Sequence, residues 1–423
     1  MKKFNILQTF PAVNLFHKRI MAKKLSILLS LLVFCLSGAS IEACQPPCTK
    51  MPAGTHNIYT AMVYRHGERN PISEYPKSEY ANESNWKEGF GQLTLRGMKQ
   101  HFEFGKWIME RYGPKGLRLL PAVYNARDYK VVSTDFDRTM MSAMSNNAGL
   151  YMPSQTNALR EGLKWNPVPV RNIEANEYDE IFGQFCPKMS EKLNKLIEDR
   201  FKELQMERPE VFSYADKYSG YGIEKNPLRI YWLYDTAFIE QTQKGRIPEW
   251  MQPIYPQPLR SYFYEFLKQY VRTDEMKRLT AGPTLKTIVQ TMTKKISGME
   301  TVKLDAYSAH DNNVFNILST LGLEPKELPK YTSAVIFELY ETPQNLYYVK
   351  LLYRPGPGTV PLTLVMPGCD GSVYCPLESF IEIVEPYLPG NWIEECQAET
   401  TKVAELALNR KAFMEKFVYP HVR

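Results

Sequence analysis

The sequence lacks the cysteine and histidine patterns of a zinc site. It has seven cysteines and six histidines in 423 residues, with no Cys-x-x-Cys pair and no cysteine–histidine cluster. It also has no internal repeat and no low-complexity tract. A zinc site is therefore the weaker interpretation of the cysteines, and we expect neither a metal nor another cofactor.

Net charge is almost absent once the N-terminal segment is set aside. The chain has 52 Lys and Arg residues and 46 Asp and Glu residues, a formal charge of +6. Six of the basic residues and one acidic residue lie in residues 1–43, which leaves 46 basic and 45 acidic residues and a net charge of +1. A nearly neutral chain indicates no nucleic-acid partner and no anionic membrane surface.

No apolar run is long enough to span a bilayer comfortably. The run LSILLSLLVFCL, residues 25–36, has 12 residues, whereas a transmembrane helix needs about 20. Lys23 and Lys24 precede it and the small residues SGAS follow, which is the order of a signal peptide. We expect residues 1–43 to be an upstream extension and a signal peptide; the alternative is a buried N-terminal helix. Two starts, Met1 and Met21, and two cleavage positions, after Ala39 and after Ala43, stay open.

The rest of the chain contains no second hydrophobic span, so we expect no membrane anchor and an oxidising compartment. Six cysteines remain after the signal, and an even number in a secreted chain suggests three disulfides. The sequon Asn82-Glu83-Ser84 lies in a polar loop and predicts glycosylation of Asn82.

Strands and helices alternate in the first part of the chain. IYTAMVY, residues 58–64, is apolar on both faces, which suits a strand buried in a parallel sheet. A helix is expected over residues 93–113, capped by Thr94 and stopped by Gly113. A second strand over 129–134 is followed by a helix with Thr134 or Asp135 as its cap. This pattern predicts an α/β fold with an open, mostly parallel sheet flanked by helices.

The middle of the chain has a different pattern. Residues 166–280 mix helical stretches with Pro- and Tyr-rich connections, which predicts a mainly helical insertion. The α/β pattern then resumes with a helix, the strand VKLDAYSA and a hairpin around ETPQN. We therefore predict an α/β domain formed by residues 44–165 and 281–423, with residues 166–280 inserted as a helical cap.

Three polar clusters follow three expected strands. They are Arg65/His66/Arg69, Ser133/Thr134/Asp135 and His310/Asp311. Ligands of open α/β sheets bind at the carboxyl ends of strands, and a helix N-terminus there favours an anion. Two arginines can grip phosphate, a histidine can attack phosphorus, and an aspartic acid can protonate a leaving oxygen. The pattern favours phosphoryl transfer without a metal over a charged loop that merely caps a strand.

The sequence resembles the histidine acid phosphatases, especially the prostatic and lysosomal type. The resemblance covers roughly residues 57–397 and rests on the strings VYRHGERNPI, GFGQLTLRGMKQH, STDFDRTMMSAM, AYSAHDNNV and MPGCDGSVYCPLE. The first string alone also admits phosphoglycerate mutases and phytases. The signal peptide argues against the mutases, and the later strings match the acid phosphatases more closely than the phytases.

The resemblance assigns a role to each residue of the clusters. It implies that His66 is the nucleophile that becomes phosphohistidine and that Asp311 is the general acid. Arg65 and Arg69 are implied as phosphate clamps and His310 as a further phosphate donor. The implied function is acid hydrolysis of phosphate monoesters, small molecules or proteins, in the lysosomal lumen or after secretion. Relatives commonly dimerise, so a homodimer is a further expectation.

Val132 departs from the family pattern. The family has an arginine directly before Ser-Thr-Asp, a third phosphate clamp, and VVSTDFDRT matches without a gap. Arg138 occupies a separate family position and is interpreted as structural. We expect reduced activity, although Lys130, two residues back on the same strand face, could supply a point charge. The alternative function is a secreted non-enzymatic homologue that binds phosphorylated ligands without efficient turnover.

The resemblance also implies disulfides and a pocket residue. It pairs Cys186 with Cys396 and Cys369 with Cys375. Cys44 and Cys48 have no counterpart, and their pairing with each other is a default. Trp232 faces the pocket by resemblance, although a tryptophan in the core is an equal alternative.

Overall fold

A sheet of eight strands is the centre of the structure. The computed structural model describes residues 51–172, 181–183 and 186–397, all within the second of the two units into which the chain divides, Pro47–Arg423. The strands of the described residues are β1 (His56–Arg65), β2 (Tyr129–Ser133), β3 (Arg171–Asn172), β4 (Leu304–Ala309), β5 (Ala334–Glu341), β6 (Tyr347–Arg354), β7 (Leu362–Leu364) and β8 (Cys375–Pro376).

Helices separate several of these strands and follow the last of them. The α-helices of the described residues are α1 (Leu95–Tyr112), α2 (Asp137–Leu150), α3 (Pro187–Glu207), α4 (Pro209–Ser219), α5 (Arg229–Lys244), α6 (Leu259–Gln269), α7 (Asp274–Thr280), α8 (Gly282–Ile296), α9 (Asp311–Thr320), α10 (Leu377–Val384) and α11 (Trp392–Glu395). Short 3₁₀ turns lie at Glu83–Asn85, Glu249–Met251 and Glu385–Tyr387. Within the described ranges, no helix has both the length and the apolar character needed to cross a membrane.

The sheet order brings the three expected polar clusters to one edge. The strands are arranged β3-β2-β4-β1-β5-β6-β7, and β8 pairs with β6. Strands β3, β2, β4 and β1 are parallel neighbours, whereas β5 is antiparallel to β1 and β6 to β5. Because β6 therefore runs in the direction of β1, five of the eight described strands share one direction. The mostly parallel sheet is confirmed, and β1, β2 and β4 end side by side.

Both faces of the sheet are buried by helices. Tyr59 and Val63 on one face of β1 pack with α8, α9 and α10, while Met62 and Tyr64 on the other face pack with α1 and α2. This is why residues 58–64 carry no polar–apolar alternation: a strand covered on both sides is apolar throughout.

A third apolar cluster lies among the helices between β3 and β4. It is built mainly from α3 to α7 and includes Phe201, Phe212 and Met251, each fully buried. Tyr75, Phe315 and Trp392 join it from other parts of the chain. The helical character expected for this stretch is present, while the limits of a separate cap at 166 and 280 stay a prediction.

The structure agrees with the expected ends of α1 but not with the expected N-terminal cap of α2. Thr94 Oγ1 accepts from Gly97 N at 3.0 Å and Gly113 ends the helix, so both expected limits of α1 are confirmed. The expected cap of α2 is wrong, because its N-cap is Phe136 and no side chain caps it. The Thr134 hydroxyl is used elsewhere, in bonds to Thr139 and His310.

Two disulfides are present among the described residues. Cys186–Cys396 joins the start of α3 to the end of α11 across a separation of 210 residues, and Cys369–Cys375 closes a short loop before α10. Both are the pairings that the resemblance implies. The expected Cys44–Cys48 pair and the expected signal peptide lie outside the described residues.

Candidate active site

His66 follows the last residue of β1 and is almost completely buried, with 2% of its surface exposed. Its backbone N donates to Ala309 O of β4 at 3.0 Å, which extends the sheet pairing by one residue. Its ring Nδ1 lies 2.7 Å from Gly67 O. A carbonyl oxygen only accepts, so Nδ1 carries the proton and Nε2 keeps its lone pair. This tautomer suits a nucleophilic Nε2.

The surroundings of His66 keep its imidazole neutral. Burial lowers the pKa of His66 well below its usual value, and the charges of Arg138, Arg65 and Arg69 lower it further. His310 adds a smaller effect in the same direction. A ring that stays unprotonated in acid retains a nucleophilic nitrogen at a pH where an ordinary histidine is a cation.

Gly67 is required by the packing of the His66 loop on α1. A Cβ at Gly67 would lie 2.4 Å from Gly97 O, a distance that side chains do not tolerate. The Gly67 N–H donates to Ser142 Oγ of α2 at 3.1 Å, and Ser142 Oγ in turn donates to Arg138 O at 2.6 Å. The loop that carries His66 is therefore fixed between the two helices that cover this face of the sheet.

Arg65 is bound on three sides. Its Nη2 lies 2.9 Å from Asp311 Oδ2, its Nη1 donates to Pro329 O at 2.6 Å, and its guanidinium carbon lies 4.5 Å from the centre of the Tyr331 ring. The first and last predicted residues of the site, which are separated by 246 positions in sequence, are thus in direct contact. This ion pair joins the end of β1 to the first turn of α9.

Arg69 is held by a residue that the sequence analysis did not single out. Its Nη2 donates to both carboxylate oxygens of Asp235 on α5, each at 3.1 Å. Burial lowers the pKa of Arg69, but the electrostatic effects of Asp235, Tyr331 and Asp311 and the hydrogen bond to Asp235 together more than offset this, so the pKa is raised and the guanidinium stays charged. Asp235 lies 166 positions from Arg69, and no local pattern links the two.

His310 connects the ends of β4 and β2. Its Nε2 lies 3.0 Å from Thr134 Oγ1, and its ring centre lies 5.6 Å from that of His66. Its backbone N donates to Asn313 Oδ1 at 3.1 Å at the start of α9. Burial, followed by the charges of Arg138, Arg65 and Arg69, lowers the pKa of His310 well below its usual value.

The end of β2 brings no cation of its own to the site. Val132 is half-buried and packs with the apolar cluster that includes Phe182 and Tyr307. Lys130 lies 3.3 Å from Glu300 Oε2, in a partly exposed ion pair. Lys130 is not among the described residues that line the cavity, so the point charge expected from it is engaged elsewhere.

Arg138 does line the cavity. It belongs to the first turn of α2, with 9% of its surface exposed, and its guanidinium carbon lies 4.5 Å from the Phe136 ring centre. The Phe136 ring in turn lies 5.0 Å from His310. Of the charged groups that lower the pKa of His66 and of His310, Arg138 has the largest effect. The sequence analysis interpreted Arg138 as structural and did not predict that it lines the cavity.

The predicted residues meet at a cavity of about 260 Å³. His66, Arg69, His310 and Asp311 are part of its wall, and Arg65 reaches it through its ion pair with Asp311. Trp232 also lines the cavity, as the resemblance implies. Within the described ranges, no three His, Cys, Asp or Glu side chains converge to form a metal site.

Asn82 lies outside this site. It is exposed, and its Oδ1 accepts from Ser84 N at 2.9 Å at the start of a 3₁₀ turn. An exposed sequon is accessible to modification, and glycosylation of Asn82 stays a prediction.

The chain matches one family model and many known proteins. The model of the histidine phosphatase superfamily (branch 2) matches residues 59–354. The chain is 33% identical over 364 residues to lysosomal acid phosphatase of Bos taurus, covering 83% of this chain and 84% of that protein. It is 33% identical over 362 residues to prostatic acid phosphatase of Rattus norvegicus, covering 82% and 91%.

The similar solved structures include bacterial phytases. Hafnia alvei phytase in complex with myo-inositol hexakis sulphate has a TM-score of 0.59 at 17% identity, covering 82% of this chain and all of that chain. The phytase of Citrobacter braakii has a TM-score of 0.57 at 17% identity, with the same coverage. At this identity the likeness shows the fold alone.

Proposed function

Since the chain belongs to the histidine phosphatase superfamily, branch 2, we propose that it is an acid phosphatase that hydrolyses phosphate monoesters through a phosphohistidine. The observation that carries the proposal is the state of His66. It is buried, neutral and fixed as the tautomer with a free Nε2, and it lines a cavity together with Arg69, Arg138 and His310. An anionic phosphate and a neutral nucleophile can both be accommodated there.

In the first step, the substrate phosphate binds among the cations and His66 Nε2 attacks phosphorus. The N–P bond forms while the ester P–O bond breaks, and the leaving oxygen takes a proton from Asp311. Asp311 is ion-paired with Arg65. The phosphate competes for the same guanidinium, which leaves the carboxyl free to carry this proton. An acidic optimum follows from the need for a protonated Asp311.

In the second step, water hydrolyses the phosphohistidine. Asp311, now a carboxylate, accepts a proton from the attacking water, and Nε2 leaves with the electrons of the N–P bond. Phosphate is released and His66 returns to its neutral form. The same aspartate therefore serves as acid in one step and as base in the next.

Arg138 contributes the third full positive charge to phosphate binding in this proposal. A cation in the first turn of a helix is opposed by the helix dipole, typically by about 0.3–1 kcal/mol. The helix itself therefore gives no reason for an arginine at this position, whereas an anion in the cavity does. Arg138 approaches from α2, and Val132 leaves the β2 side of the site without a forked donor.

We expect turnover to be slower than in a site with an arginine at position 132. Removing one preorganised charge-assisted donor typically costs about 2.7–4 kcal/mol of transition-state stabilisation, and Arg138 compensates for part of this loss. Val132 is also the observation that favours the second candidate function, a non-enzymatic homologue that binds phosphorylated ligands.

The compartment and partners follow from the same proposal. Two disulfides favour the lysosomal lumen or the outside of the cell, where thiols become oxidised. The signal peptide in residues 1–43 and a homodimer stay predictions.

An assay with p-nitrophenyl phosphate near pH 5 tests the function. We expect turnover by the purified protein and a loss of about four orders of magnitude or more in His66→Ala, because the nucleophile is removed. His56→Ala is the matched control, since His56 is an exposed histidine at the start of the same strand. A protein that binds phosphate but does not turn over would instead support the non-enzymatic homologue.

A further inference from the structure

The cavity continues beyond the phosphate end into an aromatic region. Five rings from α5, α6 and the residue after α6 form what we call the aromatic wall: Tyr231, Trp232, Phe263, Phe266 and Tyr270. Tyr231 and Phe266 are stacked, with ring centres 3.9 Å apart and an interplanar angle of 8°. Trp232 lies 4.7 Å from Tyr231, and Tyr270 lies 5.5 Å from Phe266.

Aliphatic side chains of α3 add to this apolar lining. Met189, Leu193 and Ile197 project from successive turns of α3 and line the same cavity. A group placed between α3 and the aromatic wall therefore meets mainly carbon, although Ser190 and Asn194 of α3 also line the cavity. Burial of apolar surface is the interaction that such a region offers to a ligand.

The aromatic wall begins where the leaving group would be. Tyr270 and Asp311 line the same cavity, and the negative charge of Asp311 adds to burial in raising the pKa of Tyr270. The proposed proton donor to the leaving oxygen is thus close to the last ring of the wall. The alcohol of the substrate, which is bonded to that oxygen, extends from the catalytic end towards the apolar region.

Among the described residues of the cavity wall, arginine lies only at the phosphate end. Among the described residues that line the cavity, the basic ones other than histidine are Arg69 and Arg138. A second phosphate on the substrate would meet no further Lys or Arg among the described lining residues, and an unpaired anion in a mainly apolar region is strongly disfavoured.

We propose that this site selects phosphate monoesters of bulky, uncharged, apolar alcohols over small or multiply phosphorylated ones, a specificity that rests on the proposed function. The phosphate is held by the cations, and the hydrocarbon of the alcohol is buried between α3 and the aromatic wall. The shared chemistry is an apolar group joined to one phosphate, and the group is either a long alkyl chain or a fused aromatic ring.

Two matched substrate pairs test the proposal, because the alcohols within each pair have similar acidity. We expect kcat/KM near pH 5 to be at least about tenfold higher for octyl than for ethyl phosphate, or for naphthylmethyl than for benzyl phosphate. The pair with the larger ratio identifies an alkyl or an aryl alcohol. Myo-inositol hexakisphosphate should be hydrolysed more slowly than ethyl phosphate. Ratios near one in both pairs, or faster hydrolysis of the hexakisphosphate, would overturn the proposal.

A matched pair of variants locates the effect. Trp232→Ala should reduce the larger of the two ratios by about fivefold or more, since it removes part of the aromatic wall. Phe238→Ala is the control, because Phe238 lies on the same helix and packs on Tyr234 and Tyr331 outside the cavity lining. Equal effects of the two substitutions would contradict the assignment of the wall.

Binding of non-hydrolysable analogues separates this proposal from the proposed function. Octylphosphonate should bind the wild-type protein at least about tenfold more tightly than ethylphosphonate in calorimetry. This result, in a protein that hydrolyses no ester, would refute catalysis and support the apolar specificity. Turnover of esters together with equal phosphonate affinities would refute the specificity and leave the phosphatase intact.

Discussion

The carboxyl ends of β1 and β2 meet the same cavity in different ways. β1 ends in Arg65, which is ion-paired with Asp311 of the cavity wall, and His66 and Arg69 in the loop after β1 line the cavity. β2 ends in Val132 and Ser133, and the lysine of this strand, Lys130, is paired with Glu300. The cation on the β2 side comes instead from Arg138, in the first turn of the next helix.

The difference teaches that the site is defined by where charge is placed and not by which element supplies it. Around His66, arginines on the β1 loop and on α2 lower the pKa in the same direction. An arginine that reaches the cavity from a helix meets a different geometry from one that extends from a strand. Substitutions on the β1 side and on the β2 side show how far the two positions of arginine are equivalent.

The largest effect is expected from breaking the anchor on the β1 side. Asp235→Asn leaves Arg69 buried without a counter-charge, and such losses typically cost about 3–5 kcal/mol of unfolding free energy. Inorganic phosphate should restore part of this stability, because it supplies the missing negative charge. Denaturant unfolding with and without phosphate measures both effects. Unchanged stability in the absence of phosphate would show that the Asp235 pair contributes little.

Removing Arg138, the cation on the β2 side, should reduce catalysis. The expected loss of transition-state stabilisation is nearly as large as the loss of unfolding free energy expected for Asp235→Asn. Arg138→Met is expected to lower kcat/KM by about a hundred- to a thousandfold, with partial rescue in Arg138→Lys. Loss of this cation also raises the pKa of His66, so the acid side of the pH–rate profile should move to higher pH. The charges of Arg65, Arg69 and His310 remain and limit this shift.

Arg171 serves as the control for Arg138, because its substitution also removes one positive charge from the protein. Arg171 is the register partner of Val132 on β3, and it is exposed and outside the described cavity lining. Arg171→Met should leave kcat/KM within about twofold, as surface substitutions usually do. If Arg138→Met lowered activity without moving the acid limb, its effect would be structural.

Restoring an arginine to β2 sharpens the comparison from the other direction. Val132→Arg should raise kcat/KM by about tenfold or more, because it adds a forked donor to the transition state. The gain should be larger in Arg138→Met than in the wild type if both arginines serve the same phosphate. A double-mutant cycle measures this coupling. A gain in Arg138→Met but not in the wild type would show that Arg138 already provides all that the site requires, and no gain in either background would show that an arginine at position 132 does not reach the phosphate.

The smallest effect is expected at Lys130. Its ion pair with Glu300 is partly exposed, and such pairs typically contribute about 0–1 kcal/mol. Lys130→Met should therefore leave kcat/KM within about twofold. A loss of tenfold or more would show that the lysine leaves Glu300 and reaches the phosphate.

The sequence predicts those parts of the fold that depend on local chemistry. The apolar run of β1, the Thr94 cap and the Gly113 stop of α1 are readable because each acts within a few residues. The cap of α2 cannot be predicted in this way, because Thr134 Oγ1 is hydrogen-bonded to Thr139 and His310. A hydroxyl with two available sets of partners cannot be assigned before its distant partner is known.

The same limit applies to the candidate site. Arg65, His66 and Asp311 come from short strings that resemble a family, and the structure brings them together. Asp235 has no such string, and its pairing with Arg69 depends on how α5 packs over the loop after β1. The pairing of Lys130 with Glu300 likewise depends on a loop 170 positions away.

Trapping the covalent intermediate tests the central claim most directly. The protein is mixed with p-nitrophenyl phosphate, quenched rapidly in alkali, where phosphohistidine survives, and analysed by peptide mass spectrometry and phosphorus NMR. We predict one phosphoryl group on His66, bonded to Nε2 because Nδ1 is held by Gly67 O, and none in His66→Ala. A phosphoryl group on another residue, or turnover with no phosphoenzyme on the same timescale, would contradict the account.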